Sequence, residues 1–188
     1  PWSGVTDAPL MGYSRVLFAQ TVHRTVANTT DPTNLLYVGR GTKRITAATL
    51  EQGDTLRVTL AGDLSDTGTP SPTITLQLGA TVIATVTPTL AGVTAVQWWM
   101  DAIITITASG AGGEAHASGK LLYDDGTIIQ WSGDNSVDTT ASLEVGVVWE
   151  WDVANASNSI ESHHGMVELL PALGLAPVAP SDLTAVEA

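Results

Sequence analysis

Cysteine is absent from the 188-residue chain, which excludes a disulfide framework, a zinc–thiolate site and a thiol nucleophile. Basic residues are scarce: 7 Lys and Arg stand against 19 Asp and Glu, for a formal net charge of −12. Because binding to nucleic acid or to an anionic membrane requires Lys and Arg to neutralise phosphates, we expect no nucleic acid and no membrane among the partners. Apolar runs long enough for a membrane-spanning helix are also missing.

Charged residues of both signs make up only 14% of the chain, while hydrophobic residues make up 44%. An average soluble protein carries about 25% charged residues, so Thr, Ser, Asn, Gln and Gly must cover most of this surface. Such a surface favours a stable assembly or an extracellular particle over a cytosolic enzyme. Without disulfides, the protein must obtain its stability from a large core or from oligomerisation.

Convincing helical periodicity is missing as well, and a period of two takes its place. The segment 54–88 shows this period most clearly, because Leu56, Val58 and Leu60 alternate with polar residues. Alternation enriched in β-branched residues predicts half-buried strands. The segment therefore predicts three short strands, with a loop rich in Asp, Ser, Gly and Pro between the first two.

The rest of the chain predicts a similar series of short strands and turns. Further strands are expected at 15–27, 35–47, 95–108, 141–153 and 159–170, and a hairpin at 121–131 around an Asp125–Gly126 turn. The run at 35–47 is interrupted by Gly39 and Gly41, which suggests a bulge or tight turn there. Glycine-rich segments at 109–119 and 132–141 are predicted to be loops. Eight or nine strands of this kind predict an all-β fold, a jelly-roll-like antiparallel β-sandwich.

The domain organisation follows from where this alternation begins and ends. We expect an extended N-terminal arm at 1–14, the sandwich at 15–170 and an extended Pro-rich C-terminal tail at 171–188. The arm carries apolar side chains without helical or strand periodicity. We expect these residues to contact a neighbouring protomer or a capsid: Trp2, Val5, Leu10, Met11 and Tyr13.

Tryptophan is frequent, with six residues. Along 95–108, Trp98 shares one face with Met100 and Ala102, and Trp99 lies on the other face. Trp99 is therefore expected to contact something other than the core of its own sheet. Two roles remain open for it: an interface between protomers, where Trp is enriched, or a stacking platform for a sugar.

A set of turn motifs carries a family resemblance. The pattern G-x-x-S-x-x-G-T-P falls on Gly62, Ser65, Gly68, Thr69 and Pro70, and a Leu78–Gly79 pair ends the following strand. It follows TVANTTDPTNLLYVG at 25–39. With these motifs, residues 25–86 resemble a family of virion structural proteins of tailed bacteriophages and their prophages.

The resemblance implies a jelly-roll-like, trimeric domain on the outer surface of the virion. The expected function is that of a capsid decoration (cement) protein that binds the major capsid protein as a homotrimer and stabilises the shell. The alternative is a tail-tip, fibre or head-fibre domain that binds a host surface glycan. The family supplies no catalytic residues, so we expect no enzyme.

Several groups of residues have the composition of a metal or catalytic site. His163 and His164, with Glu161 and Glu168, could suggest a metal site, but adjacent residues of a regular strand point to opposite faces. Acidic residues at 124–125 and 132–138 could suggest Ca²⁺, although turn formation explains them better. A G-x-S-x-G nucleophile elbow is missing. We therefore expect no catalytic residues, no metal and no cofactor.

Overall fold

The computed structural model describes residues 14–123 and 126–172. Most of the expected arm, including Trp2, Val5, Leu10, Met11 and Tyr13, and most of the expected tail lie outside the described residues. The described residues form these strands: β1 (Arg15–Gln20), β2 (Arg24–Ala27), β3 (Thr33–Asn34), β4 (Gly39–Gly41), β5 (Arg44–Ile45), β6 (Thr55–Ser65), β7 (Thr73–Leu78), β8 (Thr81–Val86), β9 (Val96–Ala108), β10 (Glu114–Tyr123), β11 (Thr127–Ser136), β12 (Leu143–Glu150) and β13 (Ser159–Leu170). Within this part of the chain, no helix is long and apolar enough to cross a membrane.

The strands form two antiparallel sheets around one hydrophobic core, so the predicted all-β sandwich is confirmed. The larger sheet has the strand order β11-β10-β9-β6-β13-β1-β4, and β2 pairs with β13 beyond the end of β1. The smaller sheet has the order β3-β12-β7-β8, with β5 also pairing with β12. Both sheets are antiparallel throughout the pairs they form.

The pairing is nested in the manner of a jelly roll. The strand β6 pairs with β13, β7 with β12 and β9 with β10, so each pair encloses the next along the chain. The remaining pair, β8 and β11, belongs to different sheets, and the Thr81 hydroxyl donates to the Ser136 carbonyl across that junction at 3.3 Å. A jelly roll is commonly built from two four-stranded sheets, whereas here β9, β10 and β11 extend the larger sheet.

Period-two alternation along the strands builds the core. On β9, Trp98, Met100, Ala102, Ile104 and Ile106 all point inward and are at most 2% exposed. Trp149 and Trp151 meet edge to face at 5.1 Å between ring centroids, and both are buried. The predicted inner face of β9 is confirmed, and the core is contributed by both sheets.

The predicted strand at 15–27 is wrong in its middle. The chain pairs with β13 twice, through β1 and then through β2, and breaks at residues 21–23. There the amides of Thr21 and Val22 both donate to the Val38 carbonyl, at 2.9 and 3.2 Å. The break lies beside a β-bulge in β13 between Ser162 and His164, where continuous pairing is interrupted.

The predicted run at 35–47 is present only as two short strands. Leu35 and Leu36 are fully buried in the connection after β3, and within the rest of the segment only β4 and β5 are strand. A Cβ on Gly39 would meet the Ala19 backbone, with 2.8 Å to its carbonyl carbon. Close approach of this segment to β1 and burial of the two leucines therefore outweigh the local strand pattern.

About half of each glycine-rich segment predicted to be a loop is strand instead. Residues 114–119 belong to β10 and residues 132–136 to β11. The small side chains allow tight packing: Gly119 lies against the ring of Trp131, where a Cβ would come within 2.8 Å of Cε2. Because β10 is hydrogen-bonded to β9 on one side and β11 on the other, pairing overrides its weak strand propensity.

Candidate binding surface

The outer face of the larger sheet carries the side chains that a ligand could contact. Trp99 lies on this face and is half-buried, as predicted from its position opposite Trp98. Trp98 is 2% exposed and donates its indole N–H to the Glu161 carbonyl at 3.1 Å. The two adjacent tryptophans therefore do different work: Trp98 packs the core, and Trp99 shapes the surface.

Trp99 lies in an open position between small or flexible neighbours. Its Cα partners are Ala61 on β6 and Leu122 on β10. Two shallow depressions, of about 330 and 240 Å³, share Trp99, Ala61 and His164 in their walls. The Lys120 ammonium lies 4.7 Å from the Trp99 ring centroid, a cation–π contact. One face of the indole is thus covered by a side chain that can move away.

A third depression, of about 490 Å³, continues the surface past Lys120 toward β11. Its wall includes Asp101, which accepts two hydrogen bonds from Arg57: Nε to Oδ1 at 3.0 Å and Nη2 to Oδ2 at 3.3 Å. This hydrogen-bonded pair raises the pKa of the Arg57 guanidinium above its usual range. Ile103 and Ile128, exposed by 42% and 55%, add apolar area to the same face.

A histidine–carboxylate cluster lies beside the Trp99 depressions. It consists of His23 between β1 and β2, Asp63 on β6, and Glu161 and His163 on β13. His23 Nδ1 is 3.2 Å from Glu161 Oε1, and His163 Nε2 is 3.6 Å from both Glu161 Oε2 and Asp63 Oδ2. The two imidazole rings stack, with centroids 4.6 Å apart and planes inclined by 23°.

The premise that His163 and His164 point to opposite faces is wrong. In the bulge of β13, Ser162 pairs with Gly62 and His164 with Ala61, so His163 is the extra residue. A bulge places successive side chains on one side of the sheet, and both histidines line the 240 Å³ depression. Glu168, in contrast, is the Cα partner of Arg57 and lies away from this cluster.

The acidic segment 132–138 does not gather its carboxylates around one point. Asp134, on β11, lies 2.7 Å from His116 Nδ1 on β10. Asp138 accepts from the Thr140 hydroxyl at 2.6 Å and from the Thr140 amide at 2.9 Å. These bonds, the side-chain one first, lower the pKa of Asp138, as expected for a carboxylate that forms a turn. The pair Asp124–Asp125 lies outside the described residues.

Sequence reasoning identified Trp99 but missed Lys120 over its ring, and it missed His23 and Asp63 as members of the neighbouring histidine–carboxylate cluster. The register between β9 and β10 places Lys120 beside Trp99, and no local sequence pattern predicts that register. Comparison with known proteins adds no assignment: no protein-family model matches the chain, and no curated protein matches it.

Proposed function

We propose that this chain is a structural protein of a tailed-phage virion, a capsid decoration protein that binds the outer surface of the capsid as a homotrimer and stabilises the shell. The major capsid protein would be its partner. The proposal is supported by the resemblance of residues 25–86 to virion proteins and, above all, by the place where the chain enters and leaves the sandwich.

The chain enters and leaves the sandwich at the same end. Arg15, the first residue of β1, is the Cα partner of Leu169 at the end of β13. Val16 and Leu170 are exposed there, by 50% and 39%. The segments 1–14 and 171–188 therefore join the body side by side, next to exposed apolar side chains. Such an arrangement suits a two-part attachment to one underlying surface.

The tail is anchored to the body where it leaves it. Ala172 donates its amide to Asp54 Oδ1 at 2.7 Å, and the Glu51 amide donates to Asp54 Oδ2 at 2.9 Å. Asp54 is only 6% exposed. A force on the tail would therefore be transmitted to the start of β6, in the middle of the larger sheet. A protein that holds shell subunits together needs such a mechanical connection.

The motif loop that carries the resemblance forms part of the scaffold. Asp66 is 5% exposed and accepts from the amides of Gly92 and Val93 at 2.9 and 3.0 Å. Gly68 has a φ of 90°, which glycine adopts readily. The loop therefore joins the β6–β7 connection to the β8–β9 connection. Its role is structural, which fits a family defined by its fold.

The mechanism is mechanical. Apolar side chains of the arm would be buried on a neighbouring subunit or the capsid, at about 25 cal/mol per Å² of apolar area. Closure of three sandwiches about a threefold axis would distribute the load over three chains. A protein without disulfides gains stability from such mass action, because the assembled state is favoured over the free chain.

Three measurements test this proposal. Light scattering on the purified full chain should give the mass of three chains. Cryo-electron microscopy of the particle that carries the protein should place it on the outer capsid. A truncated chain, 15–188, should remain a folded trimer and fail to bind shells stripped of the protein. Undiminished binding by the truncated chain would rule out attachment through the arm. Density for the protein on the tail of the phage particle alone, and none on the capsid, would rule out a decoration protein.

A second candidate is a receptor-binding domain for a host surface glycan. The observation in its favour is Trp99 at the junction of two depressions, with Lys120 and Asp101 nearby. A sugar could stack on the indole once Lys120 moves aside. On a glycan array, saturable binding that is lost in Trp99→Ala and retained in Tyr37→Ala would favour this function. Tyr37 is a matched control because it is an exposed aromatic, 43% accessible.

A further inference from the structure

The histidine–carboxylate cluster has the composition and spacing of a metal site. We propose that His23, Glu161 and His163 bind one divalent transition-metal ion, with Asp63 as the fourth ligand. The site would join the connection between β1 and β2 to strands β13 and β6, at the edge of the Trp99 surface.

Three distances between neighbouring ligand atoms are close to those of tetrahedral coordination. Bonds of about 2.0–2.2 Å from Zn²⁺ to N and O ligands place neighbouring ligand atoms about 3.3–3.6 Å apart. His23 Nδ1 lies 3.2 Å from Glu161 Oε1, and His163 Nε2 lies 3.6 Å from Glu161 Oε2 and from Asp63 Oδ2. One ligand atom from each of His23, Glu161 and His163 lies within 4.8 Å of the other two. Because the two histidines contact different oxygens of Glu161, the ligand atoms must move together by about 1 Å to surround one ion.

The charges of the cluster favour a cation. Asp63 and Glu161 form ion pairs with histidines, and no Lys or Arg of the described residues, 14–123 and 126–172, pairs with either carboxylate. With both imidazoles neutral, two adjacent negative charges remain uncompensated, and they repel each other. Imidazole and carboxylate ligands without a thiolate suit Zn²⁺ and its first-row neighbours.

Backbone pairing holds three of the four ligands in place. Asp63 and Glu161 are Cα partners across β6 and β13. His163 is the extra residue of the bulge, and the bulge directs its side chain toward the outer face. The Ser162 hydroxyl donates to the Leu35 carbonyl at 2.8 Å and accepts from the Gln20 amide at 2.9 Å. These two bonds, the first of them buried, hold the backbone of the bulge.

One rearrangement is required. The lone pair of each imidazole nitrogen lies in the ring plane, and the stacked rings of His23 and His163 are inclined by only 23°. Both nitrogens cannot face one ion until a ring turns. The His23 side chain is 62% exposed and lies outside the strands, so it can turn without disturbing the core. His23 is thus the ligand that closes the site.

Calorimetric titration of zinc chloride into the chelator-treated full-length protein tests the proposal. We expect one Zn²⁺ per chain, with affinity reduced at least tenfold in His23→Ala and in His163→Ala. His116→Ala is the matched control, because His116 also pairs with a carboxylate on the larger sheet, at 2.7 Å from Asp134. Its affinity should equal that of the unaltered protein. Circular dichroism verifies that each variant folds. Because the His23 side chain is exposed, we expect His23→Ala to fold normally.

Co²⁺ provides a second measurement that depends on geometry. A tetrahedral site of N and O ligands should give intense visible d–d absorption, saturating at one equivalent and displaced by Zn²⁺. The proposal is overturned by the absence of saturable binding up to millimolar Zn²⁺. It is equally overturned by unchanged affinity in His23→Ala and His163→Ala, or by an equal loss in His116→Ala, which would indicate scattered binding to surface histidines.

Discussion

Replacing Gly62 with alanine tests the packing of the two central strands of the larger sheet. Gly62 lies on β6 opposite the bulge of β13, and a Cβ there would collide with the Glu161 carbonyl oxygen. The same Cβ would lie 2.7 Å from the Glu161 carbonyl carbon and 3.0 Å from the Ser162 Cα. These neighbours are backbone atoms, so no side-chain rotation can relieve the contact.

The cost follows from the displacement that the methyl group requires. Carbon atoms in contact are about 3.5–4.0 Å apart, so β6 and β13 must separate by about 1 Å. Overpacking of this kind costs about 1–3 kcal/mol, and each weakened ladder hydrogen bond costs about 1 kcal/mol more. We expect Gly62→Ala to lower the free energy of unfolding by about 3 kcal/mol, a large share of the stability of a typical domain.

Urea denaturation followed by tryptophan fluorescence measures this loss, provided that the m-value is unchanged. The matched control is Gly133→Ala on β11, where a Cβ would meet nothing within 4 Å. We expect this control to change stability by about 0.5 kcal/mol or less. Equal stability of Gly62→Ala and Gly133→Ala would refute the packing of β6 against the bulge.

Three further predictions concern the motif loop, the paired tryptophans and an acidic turn. Asp66→Ala leaves the Gly92 and Val93 amides without their acceptor and should lower the unfolding free energy by about 3 kcal/mol. Thermal denaturation measures this loss, and the control Asp31→Ala, at an exposed position, should show none. Because Trp98 is buried, Trp98→Ala should lower the free energy of unfolding in urea by about 3–5 kcal/mol. Trp99→Ala, on the outer face, should lower it by about 1 kcal/mol. A larger loss in Trp99→Ala than in Trp98→Ala would contradict the orientation of β9. The pKa of Asp138 is lower in the folded protein than in the unfolded chain. Ionised Asp138 therefore stabilises the folded protein at pH values above the unfolded pKa, and this contribution is lost as the pH falls below about 4. Thr140→Val removes the 2.6 Å hydroxyl bond, so the pKa of Asp138 should rise in a carbon-detected NMR titration; an unchanged pKa would mean that this bond is not its cause.

Much of the strand content could be predicted because alternation is a local property. The predicted last strand, 159–170, has the bounds of β13, and three strands appear within 54–88 as expected. The predictions failed where pairing decided the outcome. Residues 114–119 carry Gly, Ala and Ser, whose propensity predicts a loop, but hydrogen bonds to β9 and β11 hold them extended.

The candidate surface was predictable only in part, for a related reason. The face on which Trp99 lies follows from its position next to the buried Trp98. Its contact with Lys120 depends on the register between β9 and β10. The orientation of His163 depends on a bulge, which inserts one residue and shifts the faces that follow it.

The sequence by itself determined the all-β class and the inward face of β9, because successive side chains of any extended chain point to opposite sides. The tertiary structure alone decided which distant residues meet. His23 and Glu161 are separated by 138 positions and lie 3.2 Å apart, because β2, which follows His23, pairs with β13, which carries Glu161. The residue pattern could point to Glu161 and His163, but only long-range pairing and the bulge that interrupts it bring His23 and Asp63 to them.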